Sequence, residues 1–229
     1  MCNYFTRYRE PRRLEASFRF VDPLPNLEPR YVVRPTDTER VVAIGGDGRR
    51  HFVAMRWGLV PFWARDMKTG LTLFNWRSED VLAKPIFAAP FNHGRRCLVP
   101  CDGFFEFTGL PGAKQPYFFQ PKDGRVMAFA GLWAQWRGPR GRLLAEPLLS
   151  FSIATCAPNR TVAPYHDRMP VLFTRAEDWD GWLDPGADAD ALRQRLAPAD
   201  DDLLEVTAVT RQLLKLKEPG PEVLRSEPA

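Results

Sequence analysis

Proline frequency is the feature that most limits the folds open to this chain. The 229-residue sequence contains 22 prolines, nearly one residue in ten, and they are spread along its length. A proline fixes φ and has no N–H to donate, so it is disfavoured in helix interiors and in central strands. This distribution favours short strands and turns over long helices.

Hydrophobic patterning predicts strands along most of the chain. They are expected at 51–57, 97–99, 104–107, 117–120, 126–133, 148–155, 170–173 and 203–209. Asp123-Gly124 is a hairpin signal, and the Gly/Arg-rich segment 137–142 is predicted to be a hairpin tip. This order of elements predicts an α+β fold, mostly antiparallel β-sheets with peripheral helices.

Few helices are predicted. Thr174 and Glu177 have the spacing of a capping box for a helix that runs across two tryptophans. A second short helix is expected at 188–196, and Ser78 is expected to cap another that ends near residue 83.

Composition is that of one globular domain. The chain is 45% hydrophobic and 26% charged, without a break in composition, so we predict a single domain, 1–229, with 219–229 as a surface tail. It has no run of 18 apolar residues and no signal-peptide pattern, so we expect a cytoplasmic protein without membrane contact. The net charge of +4 is compatible with nucleic acid but does not require it.

The cysteine pattern argues against a metal site. Cys97 and Cys101 lie four positions apart, but no second pair of ligands follows them. For these two residues and Cys156 we expect buried apolar packing rather than disulfides. No metal and no cofactor is predicted.

Cys2 differs from the other cysteines because of its position. Aminopeptidases remove Met1 when the second residue is small, and the chain would then begin with a 1,2-aminothiol. An α-amine has a pKa of about 7.7–8.0, so roughly a tenth to a third of it is neutral near pH 7. A neutral amine forms a Schiff base with an aldehyde, and the thiol can close onto the imine carbon as a thiazolidine. Cysteine at this position can also be incidental.

Other candidate residues lie in three separate segments. Glu106 stands among aromatic residues on a predicted strand, where burial would raise its pKa. His166 titrates near neutrality without any perturbation. Equally, Glu106 can face solvent, His166 can be an ordinary loop residue, and Arg77 and Arg168 can form surface ion pairs.

Taken together, these segments resemble the SRAP family, the SOS response-associated peptidase-like proteins that shield abasic sites. The most specific matches are Cys2 and the string His166-Asp167-Arg168-Met169-Pro170. The supporting matches are 55–61, 75–79, 96–100, 102–106, 114–118 and 130–133, in family order. The resemblance covers nearly the whole chain.

The resemblance implies antiparallel sheets around a groove for single-stranded DNA that contains abasic sites. Cys2 would be the crosslinking nucleophile, and Asn75 would hold the N-terminal residue and its adduct. Glu106 would orient the amine and shuttle its proton. His166 would act as acid and base in opening the sugar and in reversing the crosslink.

The resemblance also implies a nucleoid-associated monomer with a path for the DNA strand. Arg77 and Arg168 would bind the phosphates that flank the lesion. Trp63, Thr155 and Pro35 fall where the family lines the nucleotide path.

Departures from the family pattern lie near these positions. Asn3-Tyr4 follows Cys2 where the family usually has glycine and then arginine. Tyr4 cannot neutralise a phosphate as arginine would, and it can instead stack on a base. Trp76 replaces a small residue, and Phe107 stands where tryptophan is common. The segment 31–36 matches the family only loosely. A shifted substrate preference is therefore expected.

Three functions remain open from the sequence. The first is covalent capture of abasic sites, with strand cleavage by β-elimination as a side activity. The second is an N-terminal-nucleophile thiol peptidase or autoprotease that uses Cys2, Asn75, Glu106 and His166, which would turn over a peptide or amide. The third is a non-catalytic binding module for single-stranded DNA, which would bind intact and abasic strands equally.

Overall fold

The computed structural model describes residues 3–110, 112–213 and 215–227. Cys2 lies outside the described residues, so its predicted role is not tested by the geometry. Thirteen strands occur in the described ranges: β1 Tyr4–Arg7, β2 Arg30–Val33, β3 Thr38–Ile44, β4 Arg50–Trp57, β5 Asn75–Arg77, β6 Arg96–Cys101, β7 Gly103–Thr108, β8 Gln115–Pro121, β9 Met127–Trp136, β10 Leu148–Cys156, β11 Met169–Pro170, β12 Leu172–Phe173 and β13 Leu204–Ala208.

Helices are few and short. Within the same ranges the α-helices are α1 Pro11–Phe18, α2 Pro85–Asn92, α3 Ala176–Leu183 and α4 Ala189–Gln194, and the 3-10 helices are Met67–Thr72, Ser78–Asp80 and Pro221–Leu224. A proline occupies the first turn of both α1 and α2, where its missing N–H would have no partner inside the helix. None of these helices combines the length and the apolar character that a bilayer crossing requires. The predicted α+β fold class, rich in strands, is confirmed.

Two β-structures make up the fold. Sheet 1 is antiparallel, with the strand order β13-β8-β7-β1-β2. The second structure is a barrel: β10 pairs with β4, β4 with β3, β3 with β6, β6 with β9, and β9 pairs back with β10. Closure leaves these five strands without a free edge along the paired stretch.

β10 organises the end of the barrel next to the candidate site. Its residues Ser150 and Phe151 pair in parallel with β4, and the following residues 153–155 pair with β5 on the same side. On its opposite side β10 pairs with β9 and then with β11. Two short strands, β5 and β11, therefore flank the C-terminal end of β10.

The main core is dense in aromatic rings. Phe5 from β1 packs edge-to-face on Trp57 from β4 and on Phe129 from β9, so sheet 1 is attached to the barrel through buried rings. The chain passes directly from the barrel to sheet 1 where β6 and β7 are separated only by Asp102. A Cβ at Gly103 would lie 2.3 Å from the Phe118 ring, so only glycine fits at this junction.

A buried arginine joins two helices to the barrel. The Arg96 guanidinium donates to the carbonyl oxygens of Phe91, Trp182 and Asp184 at 2.7, 2.8 and 2.6 Å. Phe91 lies in the last turn of α2, and the other two carbonyls lie at the end of α3. One cationic side chain therefore satisfies terminal carbonyls of both helices.

Several local predictions were wrong for identifiable reasons. Asp123-Gly124 forms a turn, but β8 and β9 on either side pair in different sheets, so there is no hairpin. The helix across Trp179 exists, yet it begins after Arg175, without a side-chain cap from Thr174. Ser78 begins a 3-10 helix instead of capping an α-helix. Asp188 caps α4, because its side chain accepts from the backbone N–H groups of Asp190 and Ala191.

The C-terminal segment packs more closely than predicted. Val223, within the 219–229 segment expected to be a surface tail, is fully buried against residues that include Val32 and Phe105 of sheet 1. Val209 forms a bridge with Ser226. Apolar burial therefore overrides the polar composition of this segment, while the single-domain boundary stays a prediction.

The predicted burial of three cysteines is confirmed. Cys97, Cys101 and Cys156 are all buried, and none of the three forms a disulfide. Burial raises the pKa of Cys97 well above its usual range and that of Cys156 to about 12, so both remain protonated at neutral pH. In the described ranges no group of three or more His, Cys, Asp or Glu side chains is arranged to hold a metal ion.

Candidate active site

The candidate site lies where sheet 1 meets the β10 end of the barrel. Asn75 is the first residue of β5, Glu106 belongs to β7, and His166 lies in the loop between β10 and β11. Tyr4, at the start of β1, pairs with Phe105, the immediate neighbour of Glu106. The described chain thus begins beside the strand that carries Glu106.

Glu106 is a buried acid with a perturbed pKa. The residue is only 3% exposed, and burial raises the pKa of its carboxyl from 4.5 to about 7, with a further contribution from Asp167. The alternative that Glu106 faces solvent is excluded. Near neutral pH the carboxyl can therefore both accept and release a proton, which is what general acid–base chemistry requires.

His166 lies opposite this carboxyl. Its Nε2 is 4.0 Å from Glu106 Oε2. Burial lowers the pKa of His166 from its ordinary value of 6.5, so the neutral imidazole predominates at pH 7. The distance is too long for a direct hydrogen bond, and a water molecule or one polar atom of a substrate could contact both groups.

The loop that carries His166 is held from both sides. Tyr165 packs on Tyr117 and Phe119 of β8, with ring centroids 4.5 and 5.3 Å apart. On the other side the Asn159 side-chain amide donates to the backbone carbonyl oxygens of residues 199 and 200, and its Oδ1 accepts from the Val162 N–H. His166 is therefore an anchored residue, and not a free loop residue.

Two neighbours contact His166 Nδ1. The Arg168 N–H donates to it at 2.9 Å, and Asp167 Oδ1 lies 2.8 Å from it. A neutral ring that accepts from the Arg168 N–H carries its proton on Nε2, whereas a neutral ring that donates Nδ1–H to Asp167 has an unprotonated Nε2. In both tautomers Nε2 is the nitrogen that faces Glu106.

Asn75 is positioned by strand pairing. It lies opposite Ile153 in the parallel β5–β10 ladder and is buried. Its neighbour Trp76 turns into the core, where its ring stacks on Phe87. Trp76, which replaces a small residue of the family pattern, is therefore accommodated in the core and does not fill the site.

The other two departures pack against each other. The rings of Tyr4 and Phe107 meet edge to face, with centroids 5.5 Å apart. A tyrosine at position 4 and a phenylalanine at position 107 thus form a local pair. Stacking of Tyr4 on a base stays a prediction, and it would compete with this contact.

Arg168 does not present a free guanidinium. Its Nη1 and Nη2 donate to the two carboxylate oxygens of Glu79, and Nη2 also donates to the Thr155 carbonyl at 2.6 Å. Thr155 is fully buried, and its hydroxyl donates to the Trp76 carbonyl. The predicted DNA contacts of Arg168 and Thr155 stay predictions, and in this structure both residues bind protein groups.

The remaining predicted DNA contacts are more accessible. Arg77 is exposed at the end of β5, Pro35 is half-buried in the turn between β2 and β3, and the Trp63 side chain is 58% exposed. Their DNA contacts stay predictions.

Sequence reasoning assigned no role to three residues that build the site. Glu79 pairs with Arg168, Tyr165 anchors the histidine loop, and Asn159 holds the base of that loop. Glu79 lies four positions after Asn75, in the same motif segment, and Tyr165 lies next to His166. These positions were the signal that could have indicated the two residues. Asn159 had none, because its partners are some 40 residues away along the chain.

Comparison with known proteins gives a family match over most of the chain. Residues 1–216 match the family profile described as SOS response associated peptidase (SRAP). The chain is 35% identical to "Abasic site processing protein YoqW" of Bacillus subtilis, over 99% of this chain and 100% of that protein. It is 33% identical to "Abasic site processing protein HMCES" of Gallus gallus, over 59% of this chain and 46% of that protein.

Solved structures share the fold. A protein from Bacteroides thetaiotaomicron superposes with a TM-score of 0.86 at 22% identity, over 99% of this chain and 100% of that one. A protein from Bordetella bronchiseptica superposes with a TM-score of 0.77 at 23% identity, over 91% of this chain and 100% of that one. Because both the profile and a full-length relative cover nearly the whole sequence, the chain belongs to the SRAP family.

Proposed function

We propose that this protein captures abasic sites in single-stranded DNA as a covalent thiazolidine on Cys2, after Met1 has been removed. The observation that carries the proposal is that His166 Nε2 lies 4.0 Å from the buried Glu106 carboxyl. Tyr4 of β1 pairs with Phe105, next to Glu106 on the same strand. Relatives named as abasic site processing proteins support the same substrate.

The acid–base pair fits the chemistry of ring opening. An abasic sugar is mostly a closed hemiacetal, and opening it needs a proton on the ring oxygen and loss of the hydroxyl proton. Neutral His166 presents Nε2 to Glu106, and the tautomer that accepts from the Arg168 N–H carries its proton on that nitrogen, while Glu106 exchanges protons near pH 7. The two groups therefore suit proton transfer in both directions, which is needed to form an adduct and to reverse it.

The covalent steps balance without a further reagent. The neutral α-amine attacks the aldehyde carbon, and the resulting carbinolamine loses water to give an imine. The Cys2 sulfur then adds to the imine carbon, and the thiol proton passes to the imine nitrogen. Aminothiol and aldehyde thus give thiazolidine and one water. β-Elimination from the imine would cleave the strand as a side activity.

The state of the other cysteines supports Cys2 as the nucleophile. Cys97, Cys101 and Cys156 are all buried in the protein interior. A strand-sized substrate cannot reach them without unfolding. Asn75 at the head of β5 would hold the adduct, and exposed Arg77 two residues later would bind a flanking phosphate.

The test is crosslinking to a single-stranded oligonucleotide that carries one abasic site. The intact mass of the purified protein is measured first, because the chemistry requires loss of Met1. Wild-type protein should give an adduct that survives denaturation without a reductant. Cys2→Ser retains an α-amine but cannot close the ring, so it should be trapped only when borohydride reduces the imine.

Cys156→Ala is the matched control, because it removes a buried thiol and should leave the adduct unchanged. No adduct with the wild type, or equal non-reduced adducts with wild type and Cys2→Ser, would contradict the proposal. Equal equilibrium affinity for intact and abasic strands, with no adduct, would favour the binding module. Thiol-dependent turnover of a peptide would favour the peptidase.

A further inference from the structure

The phosphate-binding face of Arg168 is already occupied by a carboxylate. Glu79 accepts from both terminal nitrogens of the guanidinium in a bidentate pair, with 2.9 Å between Nη2 and Oε2. This fork-to-fork geometry is the one in which arginine binds a phosphate. Glu79 is itself held by the Ser78 hydroxyl, which donates to Oε2 at 3.2 Å.

The rest of the Arg168 guanidinium offers little to a ligand. A guanidinium has five N–H donors. Both donors on Nη2 are used, one by Glu79 and the other by the Thr155 carbonyl. Nε is buried and has no partner within the described residues. The Arg168 side chain is 12% exposed, whereas Glu79 is 51% exposed, so the carboxylate is the partner that can move away.

We propose that Glu79 occupies the phosphate site of Arg168 as an internal competitor and leaves it when the DNA strand binds. This inference rests on the proposed function for its ligand, the backbone of single-stranded DNA. Glu79 thereby limits the affinity of the site for intact strands, in which no covalent bond compensates for the broken ion pair.

Ion exchange gives this proposal a quantitative signature. Each phosphate that a single strand places on a cationic side chain contributes about −0.7 to the slope of log K against log salt concentration. In the wild type the same contact also breaks the Glu79 ion pair and frees the Glu79 charge beside the strand, and both of these penalties are screened as salt rises. The penalty from Glu79 therefore shrinks with salt and offsets part of the slope that the Arg168 contact contributes.

The experiment measures equilibrium binding of an intact single-stranded oligonucleotide from 50 to 300 mM salt. Glu79→Gln should bind about fivefold more tightly at low salt, and its slope should be steeper than that of the wild type by up to about 0.7. Arg168→Gln should abolish both differences, so that Arg168→Gln and the Glu79→Gln/Arg168→Gln double variant bind alike.

Asp80→Asn is the matched control. It removes the same charge one residue further along the 3-10 helix, where Asp80 pairs with Lys84 and not with Arg168. Its slope should equal that of the wild type. Weaker or unchanged binding by Glu79→Gln, or an equal gain in the Arg168→Gln background, overturns the inference. If the wild type crosslinks abasic DNA but Glu79→Gln behaves like Asp80→Asn, only this inference fails; if no variant binds or crosslinks DNA, the proposed function fails with it.

Discussion

Glu106→Gln should make the protein more stable at alkaline pH while it impairs the proposed chemistry. The substitution keeps the shape of the side chain and removes its ability to ionise. Glu106 is nearly inaccessible to water, and burial raises its pKa from 4.5 to about 7. The folded chain therefore binds this proton more tightly than the unfolded chain does.

The sign and size of the effect follow from proton linkage. Because the pKa is raised in the folded state, the stability contributed by protonated Glu106 is complete below about pH 4.5 and is lost as the pH rises to about 7. One pH unit of difference between the folded and unfolded pKa is equivalent to about 1.4 kcal/mol. The wild type should therefore lose about 3 kcal/mol relative to Glu106→Gln between pH 4.5 and pH 8.

Urea unfolding of both proteins across this pH range measures the difference directly. The free energy of unfolding of Glu106→Gln minus that of the wild type should rise by about 3 kcal/mol and level off above pH 7.5. Glu205→Gln serves as the control, because Glu205 lies on β13 of the same sheet and is exposed, and this variant should show no such rise. Parallel curves for Glu106→Gln and the wild type would refute the assignment of Glu106 as a buried acid that titrates near neutrality.

The same variant links stability to function. The wild-type crosslinking rate should change through about pH 7, where Glu106 ionises, and Glu106→Gln should lose that dependence. A general acid–base group contributes roughly 100-fold or more to rate, so crosslinking by the variant should slow by at least that factor. A variant that is both stabilised and slow would identify Glu106 as a residue kept for chemistry at a cost in stability.

Two further predictions concern stability away from the site. Arg96→Met leaves three buried carbonyls without a donor and should lower the free energy of unfolding by about 3–5 kcal/mol in urea titrations; a loss below about 1 kcal/mol would contradict the capping role. The pKa of His51 is raised above 6.5 by hydrogen bonds to Asp22 and Asp47, so its stabilisation is present below pH 6.5 and is lost as the pH rises through the raised value. The difference in melting temperature between wild type and His51→Asn should therefore be larger at pH 5.5 than at pH 8.5, and an unchanged difference would exclude the ion pairs as its source.

Patterning predicted regular elements where local signals are strong. The predicted strand 51–57 corresponds to β4, and 148–155 corresponds to β10, because alternation and β-branched or aromatic residues extend over several positions. Short elements such as β5 and β2 were missed, since three or four residues carry too little periodicity. The Asp123-Gly124 turn was recognised, but its strands diverge into separate sheets, a choice made by long-range pairing.

The family, and the residue types proposed to carry its chemistry, could be read from the sequence alone. Reactivity such as that of a 1,2-aminothiol is covalent and local, so it follows from residue identity at one position. Which groups meet was decided only by the tertiary structure. Barrel closure and the β1–β7 pairing bring together segments about 60 to 100 residues apart. That assembly raises the pKa of Glu106, turns Nε2 of His166 toward it and places Glu79 on Arg168, because desolvation and charge pairing act through space rather than along the chain.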